Sequence, residues 1–163
     1  MEQVKKAFRR AGKLGNKLFE ATLNGLVSGS FRAVGPKGIQ LMIKNNWHTI
    51  PMILYALTNN SPKYPKELSE KEIAKLENMR RNLARMVLPV LGMARKIAAN
   101  FPPELVEQKI TGEWLMQKLE EKHPQIAKIV KEQENWQKWI NEEAIIIRLY
   151  LIGRWPKIGK GKG

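Results

Sequence analysis

Residues 69–99, SEKEIAKLENMRRNLARMVLPVLGMARKIAA, decide the fold. Ser69 and Glu72 stand at capping-box spacing, where each side chain satisfies the other residue's backbone N–H. From there Ile73, Leu76, Leu83, Val87, Leu91, Ala94 and Ala98 recur at helical period. The spacing predicts one long helix to about Ala99, kinked at Pro89, which has no N–H to donate. Phe101-Pro102-Pro103 ends it. No alternating β-branched run bounded by turn pairs occurs elsewhere, so the expected fold class is all-α.

Towards the C-terminus, short helices are expected over about 103–109 and 112–122, the second capped by Thr111. Pro124 opens a long helix expected to reach Ile152 and stop at Gly153. Ile126, Ile129, Val130, Trp136, Ile140, Ile147 and Leu151 form its apolar stripe. From Ala144 to Ile152 it is apolar on nearly every side except at Arg148, which points to a subunit interface. Trp114, Trp136 and Trp139 read as core or interface residues.

Towards the N-terminus, residues 58–66 contain Asn59, Asn60, Pro62 and Pro65 and read as a linker. Ile39–Leu57 is an apolar helical stretch, bent or broken before Pro51. Residues 24–38 are rich in Gly and Ser, predicting a short helix over Leu26–Ala33 and then a turn at Pro36. In the first segment Val4, Phe8, Ala11, Gly15, Leu18, Phe19 and Thr22 share an arc of about 100°. Lys6, Arg10, Lys13 and Lys17 lie opposite, flanked by Lys5 and Arg9. Gly12 and Gly15 each cost about 1 kcal/mol relative to Ala, so this helix is expected to form fully only against a partner. The expected organisation is a basic helical N-terminal arm over 1–66, a helical bundle over 67–152, and a basic flexible tail over 153–163.

Charge follows the same division. Residues 1–66 hold eleven Lys/Arg against two Glu, residues 67–147 hold thirteen of each sign, and the last sixteen hold five cations and no acid. Attraction to a polyanion grows with local positive density, so this segregation suits nucleic-acid binding. At about one duplex charge per 1.7 Å, the formal +14 would neutralise about seven base pairs per copy, a ratio that suits coating. The chain has no Cys, which excludes disulfides and thiolate metal sites. It also has no Asp, and its Lys, Glu and Ile content is that of heat-adapted proteins. Residues 1–20 lack the continuous apolar core of a signal peptide. The most apolar stretch, 39–57, is interrupted by Lys44, Asn45, Asn46 and His48, so no membrane span is expected.

The catalytic inventory is thin. His48 and His123 stand in separate segments with no neighbouring His, Cys or Asp, and read as helix-terminal or surface residues. Glu120, Glu121, Glu142 and Glu143 read as solvated helix faces beside Lys. The terminal Gly159-Lys-Gly-Lys-Gly lacks the strand and helix that would orient a phosphate loop. No enzyme activity, metal or cofactor is expected. Nucleic-acid binding has more support. Arg32, Lys37 and Lys44 continue the cationic series of the first helix, and Asn16, Asn45, Asn46, Ser28 and Ser30 supply neutral donors for phosphate oxygens. Gly25 and Gly29 fit either close approach to a polyanion or close helix packing. No base-reading motif is present, which favours duplex phosphates read without sequence specificity.

The aromatic-bounded basic helix Phe8-Arg-Arg-Ala-Gly-Lys-Leu-Gly-Asn-Lys-Leu-Phe19 precedes a Gly/Ser-rich second helix, the Pro36 turn and a third helix before a polar linker. This layout resembles the major coat proteins of filamentous and rod-shaped archaeal viruses. The resemblance covers most of the chain as layout and the first twenty residues as a local match. It implies a structural subunit that packages double-stranded DNA, held as A-form, in a helical filament. The building block would be a dimer, with itself or with a paralogous coat protein. Localisation would be the virion, and the host cytoplasm during assembly; some members add an outer lipid envelope. Phosphate contacts would fall on Lys5, Lys6, Arg9, Arg10, Lys13, Lys17, Arg32, Lys37 and Lys44. The basic segment Arg154 to Lys162 departs from the family layout. The alternative is a helical RNA-binding subunit of a ribonucleoprotein complex, and a third reading is a protein lying on anionic lipid.

Overall fold

The computed structural model describes residues 2–155, with side chains from Lys17 onward. Among the described residues there are seven helices and no strand. They are α1 (Glu2–Lys44), α2 (Thr49–Thr58), α3 (Glu70–Ala98), α4 (Pro103–Lys109), α5 (Gly112–Lys122), α6 (Pro124–Lys131) and α7 (Trp136–Leu151).

Local signals set several of these ends. Ser69 Oγ accepts from the Glu72 N–H at 3.1 Å while Glu72 Oε1 accepts from the Ser69 N–H at 2.9 Å, completing the capping box. Thr111 Oγ1 accepts from the Trp114 N–H at 3.0 Å and starts α5. Gly153 takes φ +79 beyond α7, a conformation that suits glycine and ends the helix.

Two parts of the helix layout differ from expectation. The short helix over Leu26–Ala33, the turn at Pro36 and the start of the third helix are instead one helix, α1, which carries Pro36 inside it. Gly35, at φ +76, absorbs the proline. The break expected before Pro51 is present at residues 45–48, where Asn46 takes φ 56 and the Trp47 N–H bonds back to Met42 O at 2.8 Å. Pro51 lies in the first turn of α2, where a missing N–H costs nothing. The long helix expected from Pro124 to Ile152 is split at residues 132–135 into α6 and α7. That turn lets Asn135 Nδ2 donate to Ile43 O at 3.3 Å, tying the start of α7 to the end of α1.

α1 and α3 pack antiparallel. A Cβ placed on Gly25 would lie 3.8 Å from Val90, and one on Gly29 3.8 Å from Val87. The Phe19 and Phe101 rings meet at 5.0 Å at one end. α7 also runs against α1, from Asn135 beside Ile43 to Tyr150 beneath Arg95. One apolar core joins Phe19, Leu23, Phe31, Ile39 and Ile43 of α1 to Leu83 and Leu91 of α3 and Trp139 and Leu151 of α7. Residues on both sides of the 58–66 segment therefore share a core. That segment is itself held: Pro62 is buried, Tyr64 meets Trp47 edge-on at 5.4 Å, and Arg80 Nη1 donates to Asn60 O at 3.0 Å.

In the apolar end of α7, Ala144, Ile147 and Leu151 are buried against the chain's own helices, while Ile145 is 41% exposed. Much of the surface expected at a subunit interface is thus covered within one chain. Among the described residues no helix is long and apolar enough to cross a membrane.

Candidate nucleic-acid interface

Lys17, Arg32, Lys37 and Lys44 all project from α1 as exposed residues. None of the four takes part in an ion pair among the described residues. Lys44 and Lys75 lie near Glu72, whose carboxyl is held below the usual range mainly by hydrogen bonds from Ser69 and secondarily by these two charges. The side chains of Lys5, Lys6, Arg9, Arg10, Lys13 and Asn16 lie outside the described residues, on the part of α1 that precedes Lys17.

A change of helical phase keeps these cations facing outward. Lys37 follows Phe19, and Lys44 follows Leu26, by eighteen residues, which is about five turns of an ideal helix. In an unbroken helix each lysine would therefore stand over a core position. Phe19 and Leu26 are buried, whereas Lys37 and Lys44 are exposed. The positive φ of Gly35 lies between the two halves, and after it the buried positions become Gly38, Ile39, Met42 and Ile43. Leu18, expected on the apolar arc, stands outside the core at 51% exposure.

The neutral donors do not join this row as expected. Ser30 is buried, and Ser28 Oγ lies 3.0 Å from His123 Nε2, so both face the bundle rather than solvent. Asn45 Nδ2 donates back to Leu41 O at 2.8 Å; Asn46 is exposed. Gly25 and Gly29 face Val90 and Val87 of α3, where an added Cβ would stand at an ordinary contact distance of 3.8 Å.

The pair Glu142 and Glu143 is not the solvated face expected. Glu143 is 2% exposed and sits at the N-terminus of α2. Its carboxylate accepts from the Thr49 N–H at 3.2 Å, from the Thr49 hydroxyl, and lies 2.9 Å from His48 Nδ1. A carboxylate is stabilised there by the orphan amides and the positive end of the helix dipole. His48 stacks on Trp139 at 5.3 Å, and Trp139 Nε1 donates to Trp47 O at 2.6 Å. This network joins the α1–α2 corner to α7, and the reading of His48 as helix-terminal holds only with burial added. His123 also lies at a helix terminus, between α5 and α6, half-buried. Among the described residues no group of three or more His or Glu is placed to hold a metal ion.

A second polar joint ties the 58–66 segment to α3. Tyr64 donates its hydroxyl to Glu77, and Arg80 Nη2 donates to Glu77 Oε1 at 2.5 Å. Burial raises the Glu77 pKa, but the bonds from Arg80 and Tyr64 outweigh it and leave the carboxyl below its ordinary value. Burial and the adjacent Glu77 push the Tyr64 hydroxyl well above the ordinary phenol range.

The even charge count of residues 67–147 hid cations on α3. That helix has seven Lys/Arg and three Glu, and Lys71, Lys75, Arg81, Arg85 and Lys96 are exposed. Counting charge per helix rather than per region would have found them. Comparison with protein-family models, with curated proteins and with solved structures gives no match to this chain.

Proposed function

We propose that this protein is a structural DNA-packaging subunit that binds double-stranded DNA through its phosphates, without sequence specificity, and assembles into a helical filament. The observation that carries the reading is the row of exposed cations Lys17, Arg32, Lys37 and Lys44 along α1, none in an ion pair among the described residues. The helix continues from Lys17 back to Glu2 through a stretch with five more Lys/Arg. Binding free energy would come from counterion release, which is independent of base sequence. The coat-protein resemblance adds the filament and the dimeric building block, with the virion as the place of action.

Duplex titration across a salt series tests the reading. If all nine α1 cations engage phosphate, log K falls against log salt with a slope of about −8. Random and defined duplexes should bind alike, and electron microscopy should show ordered filaments only with DNA present. Affinity insensitive to salt would overturn the reading. A clear preference for single-stranded RNA over duplex DNA would replace it with the ribonucleoprotein alternative.

A further inference from the structure

The outward surface of the α1–α3 pair divides into a cationic half and an apolar half. Contacts between the two helices set their register: Gly25 faces Val90, Gly29 faces Val87 and Gly38 lies against Met79. Arg32 therefore comes abreast of residues 84–85, and Lys44 and Lys75 both stand near Glu72. Exposed positions on α3 recur at 71, 75, 78, 85, 89, 93 and 96, spaced by three, four or seven along one side of the helix. They lie opposite Arg80, Val87, Leu91 and Ala98, which are buried. On α1, Arg32 follows Gly25 by seven residues and Gly29 by three, which puts it on the flank that faces α3.

Lys71, Lys75 and Arg85 thus join Arg32, Lys37 and Lys44 of α1 on one surface. None of the six takes part in an ion pair among the described residues. Arg85 Nη2 donates to Asn82 Oδ1 at 2.6 Å, a neutral partner that holds the guanidinium along this surface and leaves its charge uncompensated. Carboxylates are few here. From Arg32 to Lys44, α1 has none. On α3, Glu72 caps the helix start and Glu77 is engaged by Tyr64 and Arg80, while Glu70 precedes Glu77 by seven residues and shares its side. The other half of the surface is unlike this one. Leu18, Met86 and Met93 are exposed there, and neither helix has a Lys or Arg over residues 18–31 and 86–94.

We infer that Lys71, Lys75 and Arg85 of α3 form a second phosphate-binding row beside Arg32, Lys37 and Lys44 of α1, so that a duplex DNA backbone lies along the cationic half of this surface and not along its apolar half. The inference rests on the DNA-packaging reading and adds α3 to it. Lys71 to Arg85 rise about 21 Å, and Arg32 to Lys44 about 18 Å. About 20 Å of duplex axis carries about six phosphates of one strand, so six cations match one strand's charge over the contact. Lys and Arg on fixed helices position a backbone without reading its bases. A lipid surface would draw on buried apolar area, and the exposed Leu18, Met86 and Met93 stand in the other half.

The test keeps the full chain and removes charge from exposed positions only. One variant carries Lys71→Gln, Lys75→Gln and Arg85→Gln; a control of equal charge loss carries Lys122→Gln, Lys128→Gln and Lys138→Gln on α5 to α7. Duplex affinity is measured across a salt series for both and for the parent. The α3 variant is expected to lose about 2.7 from the salt slope, and the control to keep the parent slope. The three single substitutions on α3, each expected to lose about 0.9, carry the same test should the triple variant unfold. An unchanged slope in the α3 variants overturns the inference while leaving α1 binding intact. Equal losses in variant and control also overturn it, because net charge alone would then account for the effect. Loss of binding to phosphatidylserine vesicles with the duplex slope unchanged overturns it in favour of a lipid surface. A parent that does not bind duplex DNA sinks the packaging reading, and this inference with it.

Discussion

The layer built from α1, α2 and α3 differs in charge from the layer built from α4 to α7. Residues 1–98 hold eighteen Lys/Arg and six Glu, a net of +12, whereas residues 99–151 hold seven Lys/Arg and nine Glu, a net of −2. The helices of the second layer have as regular a core face as those of the first, with Leu115, Leu119, Ile126, Val130 and Trp139 buried. Charge on the outer faces distinguishes the layers, and apolar patterning does not. On the proposed packaging function, α1 to α3 would meet the polyanion, and the near-neutral α4 to α7 would let copies approach with little repulsion.

Exchanging the charges should break that contrast most strongly. Lys17→Gln, Arg32→Gln, Lys37→Gln and Lys44→Gln together should lower duplex affinity on the order of a thousandfold at physiological salt, if each cation releases one counterion. Lys122→Gln, Lys128→Gln and Lys138→Gln, on α5 to α7, should leave duplex affinity within about twofold. Parallel titrations by fluorescence anisotropy check both, and equal losses would erase the distinction between the layers.

The joint between the layers comes next. Glu143→Ala removes a buried carboxylate that holds both polar groups of Thr49 and faces His48, and should cost about 3 to 5 kcal/mol in denaturant unfolding. Gly35→Ala asks a Cβ-bearing residue to adopt φ +76. The Cβ itself meets open space, so the cost is conformational, about 1 to 2 kcal/mol. If unfolding shows no loss, the phase change of α1 does not depend on that glycine.

The smallest effect concerns pH. Glu77 has its pKa depressed on folding, so it contributes stability above the ordinary carboxylate range and loses it as pH falls through the folded value. Tyr64 has its pKa raised, so its contribution is present below the ordinary phenol range and fades as pH rises above about 10. Thermal midpoints of parent and Glu77→Gln should therefore converge at low pH and separate near neutrality. A constant gap would mean that Glu77 titrates alike folded and unfolded.

The sequence made much of this legible where the signal is local. The Ser69–Glu72 cap, the Thr111 cap and the Gly153 stop each depend on neighbours within about one turn. Pro36 misled because a proline removes one N–H, which a preceding glycine at positive φ can accommodate without ending the helix. Glu143 misled because its neighbours in sequence, Asn141 and Glu142, resemble a solvent face.

By itself the chain determined an all-helical fold, the α3 start and stop, and the excess of cations near both termini. Only the tertiary structure decided that Glu143 meets Thr49 ninety-four residues away, that α1 turns Lys37 and Lys44 outward, and that the Phe19 region of α1 and the end of α7 lie against the same end of α3. The physical reason is range. Helix periodicity and capping act over three or four residues, whereas the pairing of a buried carboxylate and the direction in which one helix crosses another are fixed by contacts the chain makes only once folded.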